Sequence, residues 1–515
     1  MSVFRPFLVF CLIALLALSA ACGGKSASSN PDASVTDDSS GGEVSGGDSD
    51  GSSGNDSSTA DIGGPVNVTE DFWITYQRHQ RVISPGETAY SDLVLINWKN
   101  PNLASNISQY GIGASPLDPS KSAFEFTKQS FKSQGASCDF GCLVSRDLAY
   151  VALATGPASK NGYEYQLGSL NKQLQVFIGK FGKIKDVADI HFAGGDLFYS
   201  TRVACANGDT VCQYAIHKRY LANVSPTKDP DVVLIDKMVP DDDGDVQKDT
   251  IYSGHFQVSE DGGTLVFLTP TIRSVKVYAW REGNLSKLDY ICEHPNGTDC
   301  SGTGSQYHDT DKVAIGPDGK TIALFTIVDR FLRVRKYTIG SEVAPTFSNL
   351  VEVPAGNYLQ QACGVVKTHP WQHVEVRGQP FFSADGKFLY HLGYSHCSDA
   401  PTDKDWTDIM AIPTDKIGDT IGQGTWLNLT NNPRDNSTKN KKIFSFTMSP
   451  QRQVFIVSAT ATEDQNGDPI ADGTNRELKD SELYSLVVGD KVWKPLTNEL
   501  NFDALLPETI LPVTP

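Results

Sequence analysis

From residue 65 onward the chain is a succession of short apolar runs rich in Val, Ile, Phe and Tyr, punctuated by Gly, Pro, Asn and Asp. Runs of that kind bounded by turn formers read as strands. No helical period is sustained, and no strand–helix alternation appears, so the pattern predicts an all-β chain. One phrase recurs: a strand, then Asp-Gly, then a second strand. Its clearest copies run Phe256–Thr269 around Asp261-Gly262, Val313–Thr326 around Asp318-Gly319, and Pro380–Leu392 around Asp385-Gly386. Glycine after Asp is a hairpin signal because it accepts positive φ without steric cost. Fainter copies run Cys142–Leu153, Ile190–Ser200 and Phe444–Ser458, where Gln451-Arg452 replaces Asp-Gly; Val82–Thr88 is the weakest.

The copies are phased near residues 84, 145, 193, 260, 317, 384 and 450. Intervals of roughly 50–65 residues suit a four-stranded antiparallel unit with long connections, the size of one propeller blade. Ser449-Pro450, Gly316-Pro-Asp-Gly319 and Ser383-Ala-Asp-Gly386, each followed by an apolar strand, resemble the TolB-type, WD40-like (PD40-type) repeat. Trp426-Leu-Asn-Leu-Thr430 and Trp493-Lys-Pro-Leu-Thr497 resemble the closing segment of such a blade, and Glu482–Leu486 its third strand. The resemblance is good over about 250–500 and poor over 65–250. It implies a single β-propeller of four-stranded antiparallel blades over 65–515, seven blades favoured over six or eight. Leu496–Leu500 begins a repeat that the C-terminal end leaves unfinished, and Asp71–Tyr76 is expected to complete it by pairing across the ends of the chain.

Ahead of this array the composition changes. Phe7–Leu18 is an apolar run behind Arg5, too short to span a bilayer, and reads with its flanks as a signal peptide over 1–21. Leu18-Ser-Ala-Ala-Cys22 resembles a bacterial lipobox, although Ser19 stands where Leu is usual. The expectation is a diacylated Cys22 and an envelope lipoprotein, with Gly23 permitting outer-membrane sorting; the alternative is plain cleavage after Ala21. Residues 23–64 are rich in Ser, Gly and Asp with few apolar residues, and carry eight acidic side chains against Lys25. Such a segment cannot bury enough apolar surface to offset its ordering and is expected to be a disordered tether with a span of roughly 35–40 Å.

The formal charge of −17 argues against nucleic acid, whose phosphates would be repelled. The expected partners are therefore a membrane, through the lipid, and a protein or glycan ligand on a propeller face, the protein itself a monomer. Beyond Cys22, eight cysteines in an exported domain predict local disulfides, Cys138–Cys142, Cys205–Cys212, Cys292–Cys300 and Cys363–Cys397. No spacing typical of zinc flanks them.

Two acidic loops share one spacing. Asp241, Asp243, Asp245 and Asp249 stand at relative positions 1, 3, 5 and 9, as do Asp464, Asn466, Asp468 and Asp472. Alternate oxygens around a Gly turn can wrap a hard cation, and the spacing resembles integrin-type calcium loops. Both copies depart at the sixth position, where Val246 and Pro469 replace Gly, so a solvated acidic turn competes with Ca²⁺ here. Catalytic signatures are absent: His369-Pro-Trp-Gln-His373 lacks the Glu of a zincin helix, and the one Gly-x-Ser-x-Gly, Gly47–Gly51, lies in the tether. His391 and His396 fall on the next strand and loop and, with His373, are a candidate metal or catalytic cluster, against the alternative of ordinary strand and loop histidines. His191, His255 and Asp309 sit on or ahead of first strands and are the channel-mouth candidates for catalysis. Two functions compete: a non-catalytic binding scaffold, and a surface enzyme acting on polysaccharide or peptide (a lyase, glycosidase or peptidase).

Overall fold

The computed structural model describes residues 66–80, 91–101, 104–106, 143–154, 163–171, 176–206, 211–222, 231–236, 255–270, 274–292, 312–328, 331–341, 343–352, 374–395, 406–418, 427–430, 443–460, 481–490, 492–497 and 502–510. All of them belong to the compact unit Ser57–Pro515. Residues 1–65, both acidic loops, and every predicted cysteine except 205, 212 and 292 lie outside the described residues.

Strand follows strand, and the only helical turn among the described residues is the 3₁₀ turn Thr414–Lys416. The first sheet joins β1 (Trp73–Gln80), β2 (Ser91–Asn97) and β3 (Ala104–Asn106) to the last strand, β27 (Phe502–Ile510). Its order is β27-β1-β2-β3, so strands from the two ends of the chain share a sheet, as the unfinished repeat predicts. The register runs antiparallel from Trp73 opposite Ile510 to Gln80 opposite Phe502.

Next comes a seven-stranded sheet of β4 (Leu143–Val144), β5 (Tyr150–Ala154), β6 (Tyr163–Asn171), β7 (Val176–Ala193), β8 (Asp196–Ala206), β9 (Val211–Arg219) and β10 (Asp231–Ile235). The long β7 pairs with β6 through its first part and with β8 through its last, so it ends one four-stranded set and begins another. Four four-stranded sheets follow in chain order. They are β11 (Phe256–Val258), β12 (Thr264–Pro270), β13 (Ser274–Arg281) and β14 (Asn284–Cys292); β15 (Lys312–Ile315), β16 (Thr321–Val328), β17 (Phe331–Thr338) and β18 (Thr346–Glu352); β19 (Val374–Phe382), β20 (Phe388–Ser395), β21 (Trp406–Pro413) and β22 (Leu427–Asn428); and β23 (Ile443–Met448), β24 (Val454–Thr460), β25 (Ser481–Val487) and β26 (Lys494–Pro495). The first strands of successive sets lie side by side in the order β4, β7, β11, β15, β19, β23, β27. This is a β-propeller of four-stranded antiparallel blades.

The apolar core is divided among the spaces between sheets. Val266, Val277 and Ile291 of one sheet pack with Val313, Leu324 and Tyr337 of the next. Phe72, Ile74 and Tyr76 of the closing sheet pack on Val454, Ile456 and Leu483 of the last. Burial of side chains of this size contributes about 1.5–3 kcal/mol each, which favours stacking of whole sheets face to face.

The recurring phrase forms one turn five times over. In each, the fourth residue donates its N–H to the carbonyl of the first: Leu148 to Ser145, Gly262 to Ser259, Gly319 to Gly316, Gly386 to Ser383 and Arg452 to Ser449, at 2.7–3.0 Å. That fourth residue has positive φ every time. Leu148 and Arg452 hold this strained conformation without being glycine, at a cost of roughly 1–2 kcal/mol. Leu148 is fully buried, which offsets the cost; Arg452 is treated below.

The Asp of the phrase completes the turn. Ser383 Oγ donates to Asp385 Oδ1 at 2.7 Å and accepts from Phe388 N at 2.9 Å. Ser145 and Asp147 repeat the arrangement. In the copy lacking the Asp, Glu70 from the start of the fold takes its place: Ser449 Oγ donates to Glu70 Oε1 at 2.5 Å and Gln451 N to Oε2 at 3.1 Å. The closing segments also match each other. Thr430 Oγ1 donates to Asp408 and accepts from Ile409 N; Thr497 Oγ1 does the same with Glu482 and Leu483 N. One phase is corrected. Val82–Thr88, outside the described residues, connects β1 to β2, the second and third strands of its sheet. No hairpin joins first to second strand there, because the first strand comes from the C-terminal end.

His391 lies on β20, fully buried against the Phe325 ring with centroids 4.9 Å apart. It is a core histidine; His373 and His396 lie outside the described residues. Burial pushes its imidazole down to about 3. The unfolded chain therefore binds a proton here that the folded chain refuses, between its ordinary value near 6.5 and about 3. Stability should fall as pH drops through that window, by up to about 1.4 kcal/mol per pH unit from this group. Urea unfolding at pH 7 and pH 5 should show a smaller pH dependence in His391→Gln than in the wild type; equal dependence would contradict the assignment. Truncation before Phe502 should abolish the single cooperative melting transition, since it leaves β1 as an open edge. An unchanged melt would show that β27 does not close the fold.

Candidate functional site

Strand direction sorts the connections into two ends. First-to-second-strand hairpins lie at one end, here the hairpin end. Second-to-third connections, and those from one sheet to the next, lie at the other, the loop end. The longest connections, Asn106 to Leu143, Ile235 to Phe256, Cys292 to Lys312, Glu352 to Val374 and Thr460 to Ser481, all leave and return at the loop end. The spans of both acidic loops, His308, Asp309, His369, His373 and Cys363 fall among them.

Two of the three channel-mouth candidates meet, around a carboxylate the sequence reading overlooked. Asp189 and His191 are two residues apart on β7, hence on one face. His191 Nε2 is 3.2 Å from Asp189 Oδ2. His255, where the chain enters β11 from the loop end, places Nδ1 3.5 Å from the same oxygen. Backbone N–H groups fix the carboxylate from both strands: Phe256 N donates to Oδ2 at 3.1 Å and Ile190 N to Oδ1 at 2.9 Å. The His191 and Phe256 rings meet edge to face at 4.8 Å. Asp309 lies outside the described residues.

Side-chain exposure rises outward, from 14% at Asp189 through 27% at His191 to 67% at His255. Burial pulls the Asp189 carboxyl upward, but His191 and then His255 outweigh it and hold it well below the usual carboxylate range. An ionised carboxylate anchored by backbone and touching two imidazoles can orient them. The arrangement suits proton transfer or hydrogen bonding to a polar ligand at the mouth between two first strands. Among the described residues no group of three or more His, Cys, Asp or Glu is arranged to hold a metal ion. Asp189 was legible in principle: the i, i+2 spacing of Asp189-Ile-His191 on a strand puts acid and imidazole on one face.

Of the predicted cysteine pairs, the register sets Cys205 on β8 opposite Cys212 on β9. Cys292 ends β14, and the other partners lie outside the described residues. No helix among the described residues is long and apolar enough to cross a membrane.

No protein-family model matches the chain, and no curated protein does. Among solved structures, hydrazine synthase of Kuenenia stuttgartiensis is 12% identical at TM-score 0.37, over 68% of this chain and 76% of that one. A putative 6-phosphogluconolactonase from Bacteroides uniformis is 8% identical at TM-score 0.40, over 85% of this chain and 99% of that one. TolB from Acinetobacter baumannii is 12% identical at TM-score 0.33, over 85% and 83%. Likenesses at this level carry no inference about activity or partner.

Asp189→Asn should destabilise the folded domain at pH 7 by roughly 1–3 kcal/mol, through loss of a charge-assisted contact between two sheets. Because the folded carboxyl is held low, its contribution is complete above the unfolded value near 4 and fades as pH falls toward the folded one. Chemical denaturation from pH 7 down to pH 3 should show wild type and variant converging; a constant gap would rule out the ionised carboxylate as the cause.

Proposed function

We propose that the protein is a membrane-anchored, extracytoplasmic binding scaffold: a seven-bladed propeller, tethered through Cys22 to the cell envelope, that engages a protein or glycan at its loop end. The count of seven takes the β4–β10 sheet as two blades sharing β7, beside the other five sheets. The observation that carries the binding reading is the sorting of the longest connections to one end. Long connections on a rigid array are where recognition surfaces are built. A role in envelope protein complexes like that of TolB is one form of this reading, and it rests on the repeat motifs alone. Outer-membrane residence is the expected location, by way of Gly23. Ca²⁺ in the loops 241–249 and 464–472 would stiffen the same end, and local disulfides, Cys205–Cys212 first, would staple it.

A second reading is favoured by the meeting of His191 and His255 on Asp189: an enzyme whose site is the loop-end mouth, with an imidazole as acid or base oriented by the carboxylate. Its substrate would be an envelope polysaccharide or peptide. Loss of turnover in Asp189→Asn and in His255→Gln, with ligand affinity kept, would support catalysis over binding.

Three measurements separate these parts. Cys22→Ser should move the protein from the membrane to the soluble fraction and abolish labelling by a palmitate analogue; retention at the membrane would refute the anchor. Residues 65–515, used as bait in envelope extract, should capture a partner that a version with shortened 461–480 and 353–373 connections does not. Equal capture by both would place recognition elsewhere. EDTA should lower Tm if either acidic loop holds Ca²⁺, and an unchanged Tm would remove the ion.

A further inference from the structure

The hairpin end carries a contact that chain order does not require. Arg146, in the turn between β4 and β5, places Nη1 2.7 Å from Glu260 Oε2. Glu260 belongs to the turn between β11 and β12, and its Oε1 accepts from Arg452 Nη2 at 2.8 Å. Arg452 lies in the turn between β23 and β24 and also donates through Nη1 to the Phe382 carbonyl at 2.7 Å, where β19 ends. Arg146 Nη2 reaches the Pro450 carbonyl at 3.3 Å. These turns belong to sets that are not neighbours. The β7–β10 set separates Arg146 from Glu260, and the sheets β15–β18 and β19–β22 separate Glu260 from Arg452. Side chains from such turns can meet only across the space that the first strands surround.

Arg452 gives the contact its weight. It occupies the positive-φ position at φ 57°, which Gly262, Gly319 and Gly386 fill in sister turns. Glycine would be cheaper there. The side chain is 9% exposed, and both terminal nitrogens are engaged, by Glu260 and by the Phe382 carbonyl, which offsets the cost of an arginine in a glycine's place. Adjacent turns also touch directly. Gly194 N donates to the Glu260 carbonyl at 2.9 Å, and a Cβ on Gly194 would come within 2.3 Å of the Asp261 carbonyl oxygen. Thr264 Oγ1 donates to the Gly319 carbonyl at 2.7 Å.

We propose that Arg146, Glu260 and Arg452 form a clamp across the axis of the propeller that closes its hairpin end, so that a ligand approaching the axis does so from the loop end. The clamp goes beyond the binding reading, because it holds whatever ligand the loop end takes, and whether or not that ligand is turned over. It also fixes which end a ligand reaches. The Asp189, His191 and His255 cluster stands toward the loop end, and two guanidinium groups sharing one carboxylate bridge the end opposite.

The test is amide hydrogen exchange of the full chain, wild type against Glu260→Gln, followed at three turns far apart in sequence: 145–149, 259–263 and 449–453. A clamp makes them one unit, so exchange should accelerate about ten-fold or more at all three together, with β14 and β18 unchanged. Acceleration confined to 259–263, or none, overturns the proposal. Arg452→Gly supplies a second reading with opposite signs. If the arginine merely tolerates its place, glycine relieves strain and raises Tm. If it clamps, Tm falls and exchange at 145–149 and 259–263 rises. Should Glu260→Gln fail to fold, Arg146→Lys keeps the charge but loses the forked donor, and must accelerate exchange at 449–453 as well as at its own turn for the clamp to stand.

Discussion

A ring of sheets is stable only if its first and last members meet, and here that depends on one backbone ladder, β27 against β1. Every other sheet is made of consecutive strands and could form locally. The closing sheet cannot: its first strand, β27, follows every other described strand in the chain, and its partner β1 precedes them. Without that ladder, β1 would offer an open edge, and the packing of Ile74 and Tyr76 on Val454, Ile456 and Leu483 would lose the main-chain pairing beside it. Glu70, just ahead of β1, reinforces the junction by serving as the missing carboxylate of the last hairpin. The start of the domain is thereby held both by main-chain pairing to its end and by a side-chain graft into the preceding blade.

Closure divides the molecule into two ends of different character. The hairpin end is built from a repeated four-residue turn, stapled by Ser and Asp, with neighbouring turns in contact and three charged side chains meeting across the middle. The loop end receives the long connections and almost all of the residues whose chemistry was of interest in the sequence. The Asp189, His191 and His255 cluster stands toward the loop end. It uses first strands of two adjacent sets as a rigid base and leaves its most exposed imidazole toward the loop end.

Much of the architecture was legible because it rests on local, periodic signals. The Asp-Gly phrase located the first-to-second-strand hairpins, the Thr430 and Thr497 segments marked where blades end, and the incomplete repeat after Leu496 pointed to pairing across the ends of the chain. The phase near residue 84 misled, because a turn-like Pro-Gly between second and third strands looks the same in sequence as one between first and second. What the sequence could not supply was long-range pairing of side chains. Nothing local in Arg146, Glu260 or Arg452 marks them as partners, and Arg452 reads only as a lost glycine. The spacing of Asp189 and His191 puts them on one face of a strand, but their meeting with His255 becomes visible only once two strands from different blades lie side by side.

The central claim is that recognition belongs to the loop end and that the hairpin end is shut. The most direct measurement is a hydrogen-exchange footprint of the captured ligand on the intact protein. The account predicts protection in the connections following Asn106, Ile235, Cys292, Glu352 and Thr460, and at His255, with turns 145–149, 259–263 and 449–453 unaffected. Protection centred on those three turns would contradict it.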